Sequence, residues 1–267
     1  MIIDFHTHIF PEAIAERTIK KLEKMVEVKA ATNGTLLGLK QSMREAEVDW
    51  SVILPVVTKP EQFTSVNEYA ASITDREGII SFGGIHPETK CFRDEIDKIC
   101  EYGLKGIKLH PDFQNTYIDD KKYINIITYA LSRNLIVSIH AGVDKGLPYP
   151  VHCPPDKAYN MIKQAGMEAD TSKIVLAHMG GYLQWDDVEK YLVGTNVSFD
   201  ISFSFGYMNP QQMVRMIRSH GAEKILFGTD SPWSGQKEMV KAVQQLPLSE
   251  KEKIMILGEN AKKFLLL

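Results

Sequence analysis

No stretch of the chain approaches the roughly 18 consecutive apolar residues a membrane-spanning helix requires, so no membrane partner is expected. No block of like charge occurs either. Lysine and arginine number 31 against 34 aspartates and glutamates, a net charge of −3. Gripping nucleic acid by counterion release needs a basic stripe, so that partner is not expected. Cysteine is scarce: Cys91, Cys100 and Cys153 form an odd set without C-x-x-C spacing. That argues against a disulfide framework and for a reducing, cytoplasmic setting. The first residues show no charged segment followed by a cleavable apolar one, which fits the same expectation. Also missing is a glycine-rich turn after the first strand-like run. HTHIFP stands there instead, which weighs against a doubly wound open sheet.

What is present is a regular alternation. Apolar runs rich in β-branched residues recur at 2–8, 51–57, 78–86, 104–110, 135–140, 173–178, 196–202 and 224–230. Each is short and almost continuously apolar, the pattern of a strand buried on both faces. Between them lie amphipathic segments such as PEAIAERTIKKLEKMV, with Pro11 at its first turn, and PQQMVRMIRSHG, closed by Gly221. Eight strands, each followed by a helix, predict a (β/α)8 TIM barrel, an α/β fold of about 250 residues. The chain has 267 residues, 44% of them hydrophobic, which suffices for one such barrel. No linker is visible, so residues 1–267 are expected to form a single domain. Residues 32–50 read as an inserted loop and helix, and 249–267 as a helical tail packed on the barrel's outside.

The eight histidines stand at 6, 8, 86, 110, 140, 152, 178 and 220. His6, His8, His86, His110, His140 and His178 end the first, third, fourth, fifth and sixth expected strands, and Asp230 ends the eighth. Random placement would put about one of the histidines at such positions. Buried histidines satisfied one by one have no reason to gather at the same end of the strands. In a barrel those ends converge on one mouth, where the chemistry sits. His6 and His8, two apart on a strand, point to the same side and could grip one ion. We read the pair as the first strand's share of a metal site completed from across the barrel.

The motifs DFHTH (4–8), GIHP (84–87), GIKLHP (106–111), SIHAG (138–142), LAHMGG (176–181) and FGTDSPW (227–233) span nearly the whole chain in barrel order. Together they resemble the amidohydrolase superfamily, and more closely its family 2 branch, which includes decarboxylases and a lactonase. The resemblance implies that His6, His8, His140 and Asp230 bind a divalent metal. Three imidazoles and one carboxylate suit Zn2+, and Mn2+, Fe2+ or Co2+ would accept the same donors. It implies further that His178 polarises the reacting group or serves a second metal. Lys108 shares a strand face with His110. In binuclear relatives such a lysine is carboxylated and bridges two ions, which here would put His140 and His178 on the second. One ion is favoured over two. An unmodified, buried Lys108 would then need a partner such as Asp112 or a substrate carboxylate.

Asp4 would face the same way as the histidine pair, supporting a ligand or filling the barrel. His86 lines the mouth or caps the GIHPET turn. Asp144, Lys145 and His152 lie in a Pro/Gly-rich loop over the mouth, where substrate choice is commonly set. Trp233 and Tyr207 could stack on a planar substrate. Met179-Gly180-Gly181 would allow close backbone approach or a tight turn. Candidate substrate contacts are therefore Lys108, His110, His86, His152 and Trp233. A Cys153–His152 nucleophile competes poorly with the metal site.

The leading expectation is metal-dependent hydrolysis of a small amide, lactone or ester. Asp230 would accept the proton of the attacking water and His178 would steady the oxyanion. The alternative on the same residues is non-oxidative decarboxylation of an aromatic or unsaturated carboxylic acid. A TatD-type nuclease, which also begins DxHxH, and a non-catalytic metal-binding barrel are the remaining readings. The expected partner is a small-molecule substrate, with a homo-oligomer as a possible assembly.

Overall fold

The computed structural model describes residues 1–74 and 77–267. Its strands are β1 (Ile3–Thr7), β2 (Trp50–Ile53), β3 (Ile79–Ser81), β4 (Gly83–Gly84), β5 (Gly106–Leu109), β6 (Ile136–Ile139), β7 (Ile174–Leu176), β8 (Ser198–Asp200) and β9 (Ile225–Leu226). They pair in parallel, in the orders β1-β2-β3 and β4-β5-β6-β7-β8-β9. β3 and β4 are halves of one expected strand, parted at Phe82, whose N–H still donates to the Ile53 carbonyl at 2.9 Å. At the other seam the N–H groups of Phe5, Asp230 and His8 donate to the carbonyls of Phe227, His6 and Ser231 at 2.8, 2.8 and 2.6 Å. These bonds close the ring into the expected α/β barrel.

The continuous apolar runs have a direct cause. Ile3, Phe5, Val52, Leu54, Ile80, Phe82, Ile136, Val175 and Leu226 pack together inside the ring. Their alternating neighbours, among them Ile53, Ile107, Leu109, Val137, Ile139 and Phe199, pack outward against the helices. Those helices include α1 (Glu12–Val26), α2 (Leu36–Ala46), α3 (Phe63–Ile73), α4 (Phe92–Glu101), α5 (Lys121–Ser132), α6 (Pro155–Ala165), α7 (Trp185–Tyr191), α8 (Pro210–His220) and α9 (Gln236–Gln245). α2 occupies the inserted 32–50 segment, with Thr35 Oγ1 accepting the Gly38 N–H at 3.0 Å as its N-cap. Among the described residues, no helix is long and apolar enough to cross a membrane.

β1 departs from plain alternation. Asp4 pairs with Ser51 and Thr7 with Ile53, so Phe5 and His6 together stand opposite Val52. This bulge turns the chain by one residue. Asp4 therefore points outward, where it accepts from Thr229 Oγ1 (2.7 Å), the Thr229 N–H (3.0 Å) and Gln236 Nε2 (2.8 Å). The expectation that Asp4 shares the side of His6 and His8 is corrected: strict alternation fails exactly one residue before the histidines. Asp4 ties β1 to the end of β9 and to α9.

The tail is corrected as well. It consists of α10 (Glu250–Ile254), a wide turn over Met255–Glu259 and α11 (Asn260–Leu265). Ala261 and Leu265 join the interior cluster, and Phe264 meets Phe5 edge-on at 5.9 Å. The tail thus plugs the N-terminal end of the barrel instead of lying on its outer wall. Gly258 makes this possible, since a Cβ there would stand 2.2 Å from the Met1 carbonyl oxygen.

His220, at the end of α8, is the one histidine remote from the mouth that is fully enclosed. Nε2 lies 2.8 Å from the Val197 carbonyl, Nδ1 accepts the Gly194 N–H at 3.1 Å, and the ring stacks on Phe199. Burial, with Lys224 nearby, lowers its pKa from 6.5 to about 4. Its unfolded state therefore binds the proton more tightly. Stability from this group is intact above pH 6.5 and falls as pH drops toward 4. Between pH 7 and pH 5 the loss should be about 2 kcal/mol. Urea midpoints of wild type and His220→Gln at both pH values check this: the variant should lose less stability on acidification.

Candidate active site

The bulge and the seam bonds bring His6, His8 and Asp230 to one point. Nε2 of His6 and Nε2 of His8 are 3.1 Å apart. Asp230 Oδ1 lies 3.3 Å from the first and 3.1 Å from the second. The hydrogens of these rings are spoken for elsewhere. His6 Nδ1 faces Asp200 Oδ2 at 2.9 Å, and His8 Nδ1 faces the Leu54 carbonyl at 2.8 Å. Both partners only accept, so each neutral ring carries its hydrogen on Nδ1 and leaves Nε2 bare. Two lone pairs and a carboxylate oxygen then converge, with the Lys108 ammonium 3.3 Å from His6 Nε2 beside them. That donor set fits a divalent cation. Gly228 makes room for it, because a Cβ there would lie 2.9 Å from His6 Cβ.

Asp200, at the end of β8, anchors the group. Besides His6 it accepts the backbone N–H of Ser202 (3.0 Å) and of His178 (3.2 Å), and the Ser202 hydroxyl. Burial opposes its charge, but His6, His178 and Ser202 outweigh that and hold it well below the usual carboxylate range. Asp230 is held low in the same way, by the His8 hydrogen bond and by His6 and His178 against burial. Asp200 had no place in the sequence reading, although it ends a strand just as Asp230 does.

Lys108 is 1% exposed, with Nζ 3.3 Å from His6 Nε2. Burial lowers its pKa to about 8, against the pull of Asp200 and Asp230. The expected partner Asp112 is engaged instead with His152: Oδ1 accepts the His152 N–H at 3.0 Å and lies 3.1 Å from Nδ1.

His140 and His178 form a second pair beside the first. His140 Nδ1 is 3.1 Å from His178 Nε2, and the His178 ring centre is 5.2 Å from that of His6. The structure thus joins His6, His8 and Asp230 directly, while His140, the fourth expected ligand, is paired with His178 and grouped with His110 and Asp144. His110 lies flat on His140, ring centres 4.1 Å apart, with Nε2 3.5 Å from Asp144 Oδ2. His178 and Met179 both adopt left-handed backbone, φ 59° and 55°, as does Asp230 at φ 64°. Such conformations cost non-glycine residues about 1–3 kcal/mol each and gather at functional sites. In LAHMGG they make the tight turn that swings His178 inward.

A cleft of about 70 Å³ opens over these groups. Val26, Val143, Tyr182, Phe203 and Trp233 wall it; His140, His178 and Asp230 supply polar surface, with Asp144 and Lys145 also on its lining. Trp233, one of the expected substrate contacts, is on this lining. Tyr207 stands outside, stacked on Phe203 with Lys145 Nζ 5.1 Å from its ring centre. His86 belongs to its own turn, where Nδ1 accepts the Glu88 N–H at 3.1 Å. His152 serves Asp112. Cys153 is buried and its thiol is pushed well up by that burial, which removes it as a nucleophile.

A parallel barrel whose C-terminal rim gathers imidazoles and carboxylates is the framework of a metal-dependent enzyme. The chain belongs to the amidohydrolase family, in its family 2 branch: the amidohydrolase model matches residues 3–267. Among proteins of curated function none matches it in sequence. Several solved structures share the fold. The 5-carboxyvanillate decarboxylase of Sphingomonas paucimobilis has a TM-score of 0.71 at 15% identity, covering 100% of this chain and 99% of its own. A dihydroxybenzoic acid decarboxylase of Polaromonas sp. JS666, with bound manganese and 2-nitroresorcinol, has 0.70 at 14%, covering 100% and 97%. An uncharacterised TIM-barrel protein of Bordetella bronchiseptica has 0.76 at 16%, covering 99% and 98%. The protein is a divalent-metal-dependent enzyme of this family.

Proposed function

We propose that the protein decarboxylates a small aromatic or unsaturated carboxylic acid without oxidation. This reverses the order in which hydrolysis and decarboxylation were expected. The observation that carries the reading is the cleft, whose aromatic and aliphatic walls face imidazoles and a carboxylate. A flat ring suits those walls and an acid group suits the polar side. Relatives of the same fold are decarboxylases of carboxyvanillate and dihydroxybenzoate, which supports the same choice.

His6, His8 and Asp230 would hold one divalent cation, Zn2+ by donor type. When bound, it would supply Lewis acidity toward substrate oxygens. The bond from ring to carboxyl carbon breaks, carbon dioxide departs, and the bonding electrons stay on the ring carbon. That carbon must take up one proton. Asp230 lines the cleft and starts ionised, so it can collect a proton from a substrate hydroxyl or solvent and deliver it to carbon. His178, on the same lining, orients the reacting group. Lys145, on the cleft's lining, can meet a further anionic substituent on the substrate.

Hydrolysis remains the second reading, favoured by the ionised Asp230, which could equally take a proton from attacking water. The two are separated by incubating the metal-loaded protein with hydroxylated benzoic acids and with lactones and amides. Carbon dioxide from at least one acid is expected. It should cease after chelation and return on adding Zn2+ or Mn2+. Lactone or amide cleavage with no carbon dioxide from any acid would restore hydrolysis to first place.

A further inference from the structure

One buried pair of polar atoms has no partner in the arrangement above. Asp112 spends Oδ1 on His152, while its Oδ2 makes no hydrogen bond although the side chain is 1% exposed. Facing it at 3.9 Å is Nε2 of His140, buried and equally without a partner. Buried polar atoms left unpaired cost about 1–3 kcal/mol each, so two that face one another call for an account. A carboxylate oxygen only accepts. The gap is attractive only if His140 carries its hydrogen on Nε2.

That assignment fixes the far side of the ring. A neutral imidazole has one N–H, so Nδ1 of His140 is then bare. It points at Nε2 of His178, 3.1 Å away. His178 in turn has Nδ1 3.0 Å from the Ser202 carbonyl, which takes its hydrogen and leaves Nε2 bare as well. Two lone pairs meet at hydrogen-bond distance, the same signature as His6 and His8. In the opposite tautomer His140 would donate from Nδ1 to His178, and its Nε2 lone pair would face the Asp112 carboxylate, acceptor against acceptor. His110, stacked flat at 7° between planes, holds the ring in this plane.

We propose that Asp112 is a positioning residue: it holds the Nε2–H of His140 and so keeps Nδ1 bare beside His178 Nε2, available to a cation in the mouth. His152 keeps Asp112 in place from the other side. The inference rests on the metal-dependent reading of the site, and it concerns how a ligand is oriented, not which reaction follows.

The direct test is the imidazole 15N spectrum of the wild-type protein loaded with Zn2+. His140 should carry its proton on Nε2, with Nδ1 shifted by the metal. A proton on Nδ1 overturns the proposal. Asp112→Asn offers one acceptor where His152 and His140 both need one, so Zn2+ affinity, read by chelator competition, should fall about tenfold. The Co2+-loaded variant should show an altered visible absorption band. Unchanged affinity with an unchanged Co2+ band also overturns it. Should the predicted tautomer be found in a protein that releases no carbon dioxide from any acid, the proposed reaction falls while this inference stands. Decarboxylation with His140 protonated on Nδ1 gives the reverse outcome.

Discussion

Asp230→Asn is expected to lower turnover by about 10³-fold while leaving the barrel folded. Asparagine keeps the size and one acceptor oxygen but cannot accept, hold and return a proton. It also tolerates the left-handed backbone, which matters because Asp230 sits at φ 64° with its N–H bonded to the His6 carbonyl at 2.8 Å. A bulkier replacement would confuse lost chemistry with lost structure; this one separates them. The only negative charge among the three converging donors goes too, so bound metal should decline along with rate. Product formation at saturating Zn2+, with metal content by mass spectrometry, checks both. Activity within tenfold of wild type at full metal loading would remove Asp230 from the proton path.

Asp200→Asn should weaken metal binding by up to about 100-fold. Its carboxylate is the acceptor that keeps the hydrogen of His6 on Nδ1, 2.9 Å away, and it also bonds the N–H groups of Ser202 and His178. An amide in its place offers a donor to one of four hydrogens that all require an acceptor. His6 is then free to move its hydrogen to Nε2, the atom the metal needs. Chelator competition measures the loss, and urea midpoints of the metal-free proteins show whether the fold shares it. Wild-type affinity in a folded variant would mean that His6 is oriented by something else.

The barrel was legible because each strand is buried on both sides, and few structures other than a closed parallel sheet demand that of eight short runs. The metal-ready residues were legible for a related reason: His6, His8, His140, His178 and Asp230 all stand at the end of such runs. Asp200 obeys the same rule, yet its run, NVSFDIS, lies outside the motifs that carry the family resemblance, whereas Asp230 stands in FGTDSPW. The outward turn of Asp4 could not be foreseen, since neither glycine nor proline marks the bulge. The Asp112–His152 pair joins residues 40 apart through loop conformation alone. Amphipathic periodicity showed that the tail buries a face, but periodicity does not say against what, and the floor of the barrel was as open as its wall.

The extra residue in β1 has a reach beyond the two side chains it reverses. Because the first strand slips by one position there, the HTH tripeptide works only in that frame. Straightening the bulge without removing a residue would rotate both imidazoles into the greasy layer beneath the helices and bring Thr7 to the mouth. Transplanting the motif into an unkinked strand would orient it by parity alone. For anyone engineering this scaffold, the backbone at Phe5 and His6 is therefore as much a part of the metal centre as the nitrogens themselves.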